Sequence, residues 1–242
     1  MFDNYPKVRP ILGKEFQDVY AKHYKKNREG GSAASSLSQK MERWLHRQVA
    51  SDVINPATPK TTLELGAGTL NQLGYEPESG AYDIVEPFVE LYRNSPFLHR
   101  VRNVYASVGE VPPDCLYDRI TSVAVLEHVC ELPEVVARSA LALSKDGVFK
   151  AAIPSEGTLL WGLGWKLTTG LEFRYTYGLD YGTLMRHEHV NTADEIEIVL
   201  RELFQDVKCK VFGVSKALSF YRYYECRSPR TDVCRNYLDG LR

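Results

Sequence analysis

The chain lacks several features that would settle its class at once. Its five cysteines, Cys115, Cys130, Cys209, Cys226 and Cys234, contain no Cys-x-x-Cys pair and are odd in number. They suit neither a zinc module nor a disulfide framework, and a reducing compartment is expected. The opening residues MFDNYPKVRP carry no apolar signal core, and no stretch reaches the ~20 apolar residues that cross a bilayer. A cytoplasmic location is therefore expected, without a membrane partner. Excess charge of either sign is missing: 30 basic residues stand against 31 acidic ones, for a net charge of -1. No global positive field draws the chain to nucleic acid or anionic lipid. The local groups Lys22, Lys25, Lys26, Arg28 and Arg222, Arg227, Arg230, Arg235 read as solvated faces. No internal repeat is visible.

What is present is an ordinary globular composition, 44% hydrophobic and 25% charged over 242 residues. That length fits one large domain, or a domain with an added lid. Residues 1–58 read as an N-terminal helical lid. Phe16, Val19, Tyr20 and Tyr24 fall at helical spacing, the glycines of NREGGS (27–32) break the pattern, and Leu37, Met41, Trp44, Leu45, Val49 and Val53 make a second stripe. The stripe is a core-packing face, and NPATP (55–59) follows its helix because proline cannot continue one. Residues 59–228 alternate between strands and helices. Strands are expected at 61–65, 82–85, 102–105, 118–126 and 148–153, and helices at 133–143 and from the capping box Thr192-Ala-Asp-Glu195 to about 204. Two closing strands, VKCKVFGV and ALSFYRYYEC, imply an antiparallel edge. Residues 229–242 read as a C-terminal tail. The fold class is α/β, a doubly wound and mostly parallel sheet with an antiparallel final strand. Such sheets bind ligands beyond the carboxyl ends of their strands.

One strand runs directly into Gly66-Ala67-Gly68, where glycine lets the backbone turn tightly and approach a ligand. Glu86 ends the next strand, twenty residues after Gly66, and a carboxylate there can accept ribose hydroxyls. A dinucleotide site competes, but its third glycine is Asn71, and Gly74 and Pro77 allow only a stub of helix. A pyrophosphate would lose the helix N-terminus that supports it. Glu64 would add negative charge near the ligand, which favours a cationic one.

Glu64-Leu65-Gly66-Ala67-Gly68 resembles the first motif of class I S-adenosylmethionine-dependent methyltransferases, a Rossmann-like family. Glu86 matches that family's ribose-binding acid. DRITSVAVLEHV (118–129) resembles its fourth strand and loop, and Ile153-Pro154-Ser155-Glu156 resembles the segment after its fifth. The likeness covers about residues 60 to 226. It implies S-adenosylmethionine as cofactor. Glu64, Gly66, Ala67 and Gly68 would lie at its amino-acid and ribose portion, Glu86 on the ribose, Ser107 near the adenine, and Leu126 and Glu127 along the wall. The short segment after Thr69 departs from the family pattern.

Methyl transfer from a sulfonium needs alignment above all, and a hydroxyl acceptor must also lose a proton. The expected catalytic candidates are His128, after the fourth strand, and His187, Glu188 and His189, before the capped helix. Alternation points one of His187 and His189 inward. A metal on that pair lacks a third ligand in the sequence, so no metal is expected. The insertion 155–190 is too long for a simple connection, and its Trp161, Trp165, Phe173, Tyr175, Tyr177 and Tyr181 interleave with Lys166, Arg174 and Arg186. It suits a lid over a sugar, nucleotide-sugar or phosphorylated metabolite, with a structural lid or a homo-oligomer contact as competing readings. The leading expectation is a small-molecule methyltransferase acting at oxygen, or second at nitrogen. An RNA methyltransferase, a non-catalytic methyltransferase-like binding protein and a dehydrogenase are the alternatives.

Overall fold

A computed structural model describes residues 1–17, 19, 36–54 and 58–241. Strands form at β1 (Thr62–Leu65), β2 (Tyr82–Val85), β3 (Asn103–Tyr105), β4 (Tyr117–Val123), β5 (Leu143–Pro154), β6 (Phe204–Gly213) and β7 (Ser219–Pro229). They make one sheet in the order β3-β2-β1-β4-β5-β7-β6. All neighbours are parallel except around β7, which runs antiparallel to both β5 and β6. The α/β class read from the sequence is the one observed. The final strand is the antiparallel one, and the closing pair β6–β7 makes the expected antiparallel edge, with β7 set between β5 and β6. The reason lies in the side chains. Tyr223, Tyr224 and Cys226 of β7 are buried, whereas β6 turns Lys208 and Lys210 to solvent, as an exposed edge requires.

The described helices are α1 (Ser36–Ala50), α2 (Val89–Tyr92), α3 (Leu132–Leu141), α4 (Leu159–Trp165), α5 (Leu171–Tyr177), α6 (Tyr181–Glu188), α7 (Ala193–Leu203) and α8 (Thr231–Asp239). On one face of the sheet α3, α7 and α8 bury the main core, which includes Leu63, Ile120, Phe149, Val136, Ile196 and Leu200. Thr192 caps α7 with both halves of the expected capping box. Within the expected C-terminal tail α8 forms, because its Cys234 is buried and its Val233, Tyr237 and Leu238 add to that core. Arg222 is likewise buried and pairs with Asp194 and Glu197, so it belongs to no solvated basic face.

On the other face α1 lies flat. Leu45 and Val49 pack on Ala152 and Tyr223, so α1 is a layer of the core rather than a flap. Residues 14–17 are helical, and Phe16 packs with Leu12, Phe173 and Leu184. Tyr20, Tyr24, the glycine break at 27–32 and the Leu37 side chain lie outside the described residues.

Beneath α1 the sheet carries a buried ionic network. Arg119 of β4 and Lys150 of β5 are both fully buried. Arg119 makes a two-pronged pair with Glu76 at 2.7 and 2.9 Å, and Lys150 pairs with Asp52. Both cations also donate to the carbonyl of Val49, at 3.0 and 3.1 Å. The last carbonyls of a helix have no partner within it and carry partial negative charge. Two buried cations thus cap α1. Glu76 in turn accepts from Gln72 at 2.7 Å, and Gln72 meets His46 of α1 at 2.7 Å. This network pins the segment that follows the Gly66–Gly68 turn.

Candidate active site

β1 ends at Leu65, and the chain turns through Gly66 (φ +63°) and Gly68 (φ +52°). A Cβ on Gly66 would stand 2.5 Å from a Val125 methyl carbon, while at Gly68 it would meet nothing within 4 Å. Gly66 is therefore required by packing, and Gly68 borders open space. Glu86, at the end of β2, spans the gap. Its Oε2 accepts the Gly68 N–H at 2.8 Å and its Oε1 accepts the Phe88 N–H at 3.1 Å. Ala67 packs with Leu70 and Leu73, and Ser107 is exposed just past β3. The segment after the turn is a single 3-10 stretch, Asn71–Tyr75, where a dinucleotide site needs a long helix. It is held by the ionic network and by Tyr75 stacked on His46, ring centroids 4.7 Å apart.

Glu64 is buried, and its Oε2 accepts the Tyr82 hydroxyl at 2.8 Å. Burial pushes its carboxyl up to about 8; the Tyr82 hydrogen bond and Arg119 oppose that shift, and Glu76 and Glu86 reinforce it. Burial thus favours the neutral acid over the negative charge expected there. The folded protein keeps a proton that the unfolded chain releases above about 4.5. Stability is therefore expected to fall as pH rises from about 5 to about 8, by up to ~1.4 kcal/mol per pH unit from this group. Glu64→Gln cannot ionise and should lack this component. Urea denaturation of both proteins at the two ends of that window measures the difference, and equal slopes would refute it.

Past β4 the chain turns at Ala124 (φ +54°) and enters a 3-10 turn, Leu126–His128. β4 therefore stops three residues before Leu126, where the sequence had carried the strand on. Here the loop after β4 meets the loop after α6. The carbonyl of Glu127 accepts from Val190 and Asn191 N–H groups at 2.9 and 3.1 Å. The buried Asn191 amide donates to the carbonyls of Leu126 and Val129 at 2.8 and 2.7 Å. Arg9 adds a clamp, donating to the carbonyls of His187, Glu188 and His128 at 2.7, 3.0 and 2.6 Å.

This clamp brings His128 and His189 edge to face, ring centroids 4.8 Å apart. His128 Nδ1 lies 3.0 Å from the Glu188 carbonyl and 3.4 Å from its carboxylate. His189 Nδ1 lies 2.7 Å from Glu156 Oε2, which also accepts the Trp161 indole N–H at 2.7 Å. Burial works against charge on His128, but the Glu188 bond and the Glu127 carboxylate outweigh it and raise its pKa. Burial likewise pushes the Glu156 carboxyl up, and the bond from His189 overcomes this and holds it below the usual range.

No family model matches the sequence, and no curated protein does. Solved structures do. A plantazolicin methyltransferase, BpumL, in complex with a triazolic desmethylPZN analog and S-adenosylhomocysteine is 14% identical over 88% of this chain and 93% of that one, with a TM-score of 0.58. The N-methyltransferase NodS from Bradyrhizobium japonicum WM9 is 12% identical over 79% of this chain and 98% of that one, with a TM-score of 0.53. The CurJ carbon methyltransferase is 16% identical over 89% of this chain, with a TM-score of 0.56, and this chain spans only 61% of its length. The fold is that of the class I methyltransferases.

Within the methyltransferase fold the expected residues separate into groups. Gly66, Ala67, Gly68 and Glu86 stand together at the ends of β1 and β2, and Ser107 lies at the end of β3. Leu126 was expected along the wall, but its side chain is fully buried in the core. Glu127, His128, Glu188 and His189 converge past β4. His187 does not join them: its Nδ1 is 2.7 Å from the Pro10 carbonyl, against the N-terminal segment. In the insertion, Trp165, Lys166, Arg174 and Tyr181 line a cleft of about 480 Å³. Glu156, Asn191 and Arg9 were not singled out as site residues from the sequence, and Trp161 was named only among the aromatics of the insertion. A carboxylate directly after the fifth strand was the available signal for Glu156; the contacts of Arg9 and Asn191 span more than a hundred and more than sixty residues, and no local pattern encodes them.

Proposed function

We propose that this chain is an S-adenosylmethionine-dependent methyltransferase that modifies a small polar molecule, at an oxygen in the first place and a nitrogen in the second. The observation that carries the reading is Glu86. It is a buried carboxylate held against a glycine turn, and open space adjoins that turn. Those features fit the adenosine half of the methyl donor, because a carboxylate accepts two ribose hydroxyls and a glycine backbone admits close approach. The S-adenosylhomocysteine held in the BpumL structures supports the same reading.

When bound, the cofactor supplies a methyl group on a positively charged sulfur, already a good leaving group. The residues of this chain then have two tasks. Gly66, Gly68 and Glu86 fix the donor at the ends of β1 and β2. The group past β4 meets the acceptor, with His128, His189 and Glu188 the side chains nearest to it and His187 left out. Aligning two bound reactants removes much of the entropic barrier to an in-line displacement. Trp161 and Tyr221, packed edge to face at 5.4 Å, give that side an aromatic wall suited to a ring-bearing acceptor. Among the described residues no helix is long and apolar enough to cross a membrane, and a cytoplasmic location remains part of the proposal.

The test is transfer of a labelled methyl group from S-adenosylmethionine to a panel of hydroxylated and amino metabolites. The expected result is labelled product with equimolar S-adenosylhomocysteine for at least one small acceptor. Labelling of RNA alone would move the reading to the nucleic-acid alternative.

A further inference from the structure

Glu127, His128 and His189 place one ligand atom each within 4.8 Å of one another. What surrounds each atom decides what they can do. The Glu188 carbonyl can only accept, so the Nδ1 of His128 beside it carries a proton, and in the neutral ring Nε2 is the nitrogen with a bare lone pair. Glu156 Oε2, which already accepts the Trp161 indole N–H, sets the same tautomer on His189. Both imidazoles thus present unprotonated Nε2 atoms with their far sides tied to oxygen. That is how metal-binding histidines are oriented. The third group is Glu127, 1% exposed, whose Oε2 has no hydrogen-bond partner. A buried carboxylate oxygen left alone costs several kcal/mol, and a cation at this point would satisfy it. The Val190 and Asn191 N–H groups on the Glu127 carbonyl, and the Arg9 clamp, hold all three residues in place.

We propose that Glu127, His128 and His189 bind one divalent transition-metal ion, with Glu156 and the Glu188 carbonyl as outer partners that orient the two histidines. Two imidazoles and one carboxylate suit Zn²⁺ or Co²⁺ rather than the hard, oxygen-seeking Mg²⁺ and Ca²⁺. Three protein ligands leave a tetrahedral ion one open position. A tetrahedral ion with ligands at ~2.0–2.2 Å holds them about 3.4 Å apart, so the side chains close by roughly 1 Å on loading. Resting on the methyltransferase reading, the open position is where an oxygen or nitrogen of the acceptor sits. The histidines then serve as ligands and not as proton acceptors.

The experiment is titration of chelator-treated protein with Zn²⁺ by calorimetry and with Co²⁺ by visible absorption. S-Adenosylhomocysteine is titrated in parallel. One equivalent of each metal is expected to bind, with the intense absorption of a four-coordinate cobalt centre. His189→Ala and Glu127→Gln should each weaken Zn²⁺ binding by about 10-fold or more, and His189→Ala should leave affinity for S-adenosylhomocysteine unchanged. The exposed His99→Ala variant should change neither. Absence of stoichiometric binding, or binding that survives His189→Ala, overturns the proposal. The wild-type cobalt spectrum decides the matter should either variant fail to fold, since a hexacoordinate or absent signal also overturns it. Metal binding without cofactor binding would refute the methyltransferase reading and leave the metal site standing. The reverse would do the opposite.

Discussion

Replacing Glu86 by alanine is expected to weaken binding of S-adenosylhomocysteine by about 30- to 150-fold, the equivalent of ~2–3 kcal/mol. Hydrogen bonds to an ionised group contribute more than neutral ones, and the proposed ribose site has a single carboxylate. The substitution also removes the acceptor for Gly68 and Phe88 N–H groups, so part of the loss comes from a loosened turn. Glu86→Gln separates the two effects. It keeps one carbonyl oxygen for the turn and loses the charge, and it should fall between wild type and alanine. Calorimetric affinities, read beside thermal midpoints, give both quantities. Equal affinities in the three proteins would mean that Glu86 does not hold the ligand.

Glu76→Ala is expected to be the most destabilising single change in the fold, by about 3–5 kcal/mol. It leaves the guanidinium of Arg119 fully buried without its two-pronged partner. For a chain of this size that lowers the thermal midpoint by ~6–20 °C. The pair Arg119→Met with Glu76→Leu removes both charges and should recover most of the loss, as buried ion pairs replaced by apolar residues often do. Val49 then keeps one of its two donors, Lys150. Denaturant unfolding of the three proteins tests this. A loss below about 1 kcal/mol for Glu76→Ala would show the network to be open to water.

The ionic network marks where the sequence ceased to be legible. Periodicity located five parallel strands, the capped helix and the closing strand pair, because each carries its own local pattern of apolar residues. The Gly66–Gly68 turn and Glu86 were legible for the same reason, since a strand end fixes where the next residue points. Arg119 and Lys150 gave no such signal. A cation within an apolar strand looks solvated until the helix end that it caps, and the carboxylates forty or more residues away, are folded onto it. The insertion of β7 beside β5 followed from burial on both its faces, which a strand pair alone does not reveal. On the acceptor side, His128 and His189 were each visible as candidates, and alternation separated His189 from His187. The buried Glu127 between them had been read as cofactor wall. Only the fold shows that the two loops bring it to the histidines.

The central claim is that the turn after β1 and the acid ending β2 hold the donor's adenosine portion. Calorimetric titration of the wild-type protein with S-adenosylhomocysteine tests it most directly. One equivalent should bind with a dissociation constant in the micromolar range, of the order of -8 kcal/mol, and S-adenosylmethionine should compete for the same site. No heat and no thermal shift with either compound at millimolar concentration would contradict the account.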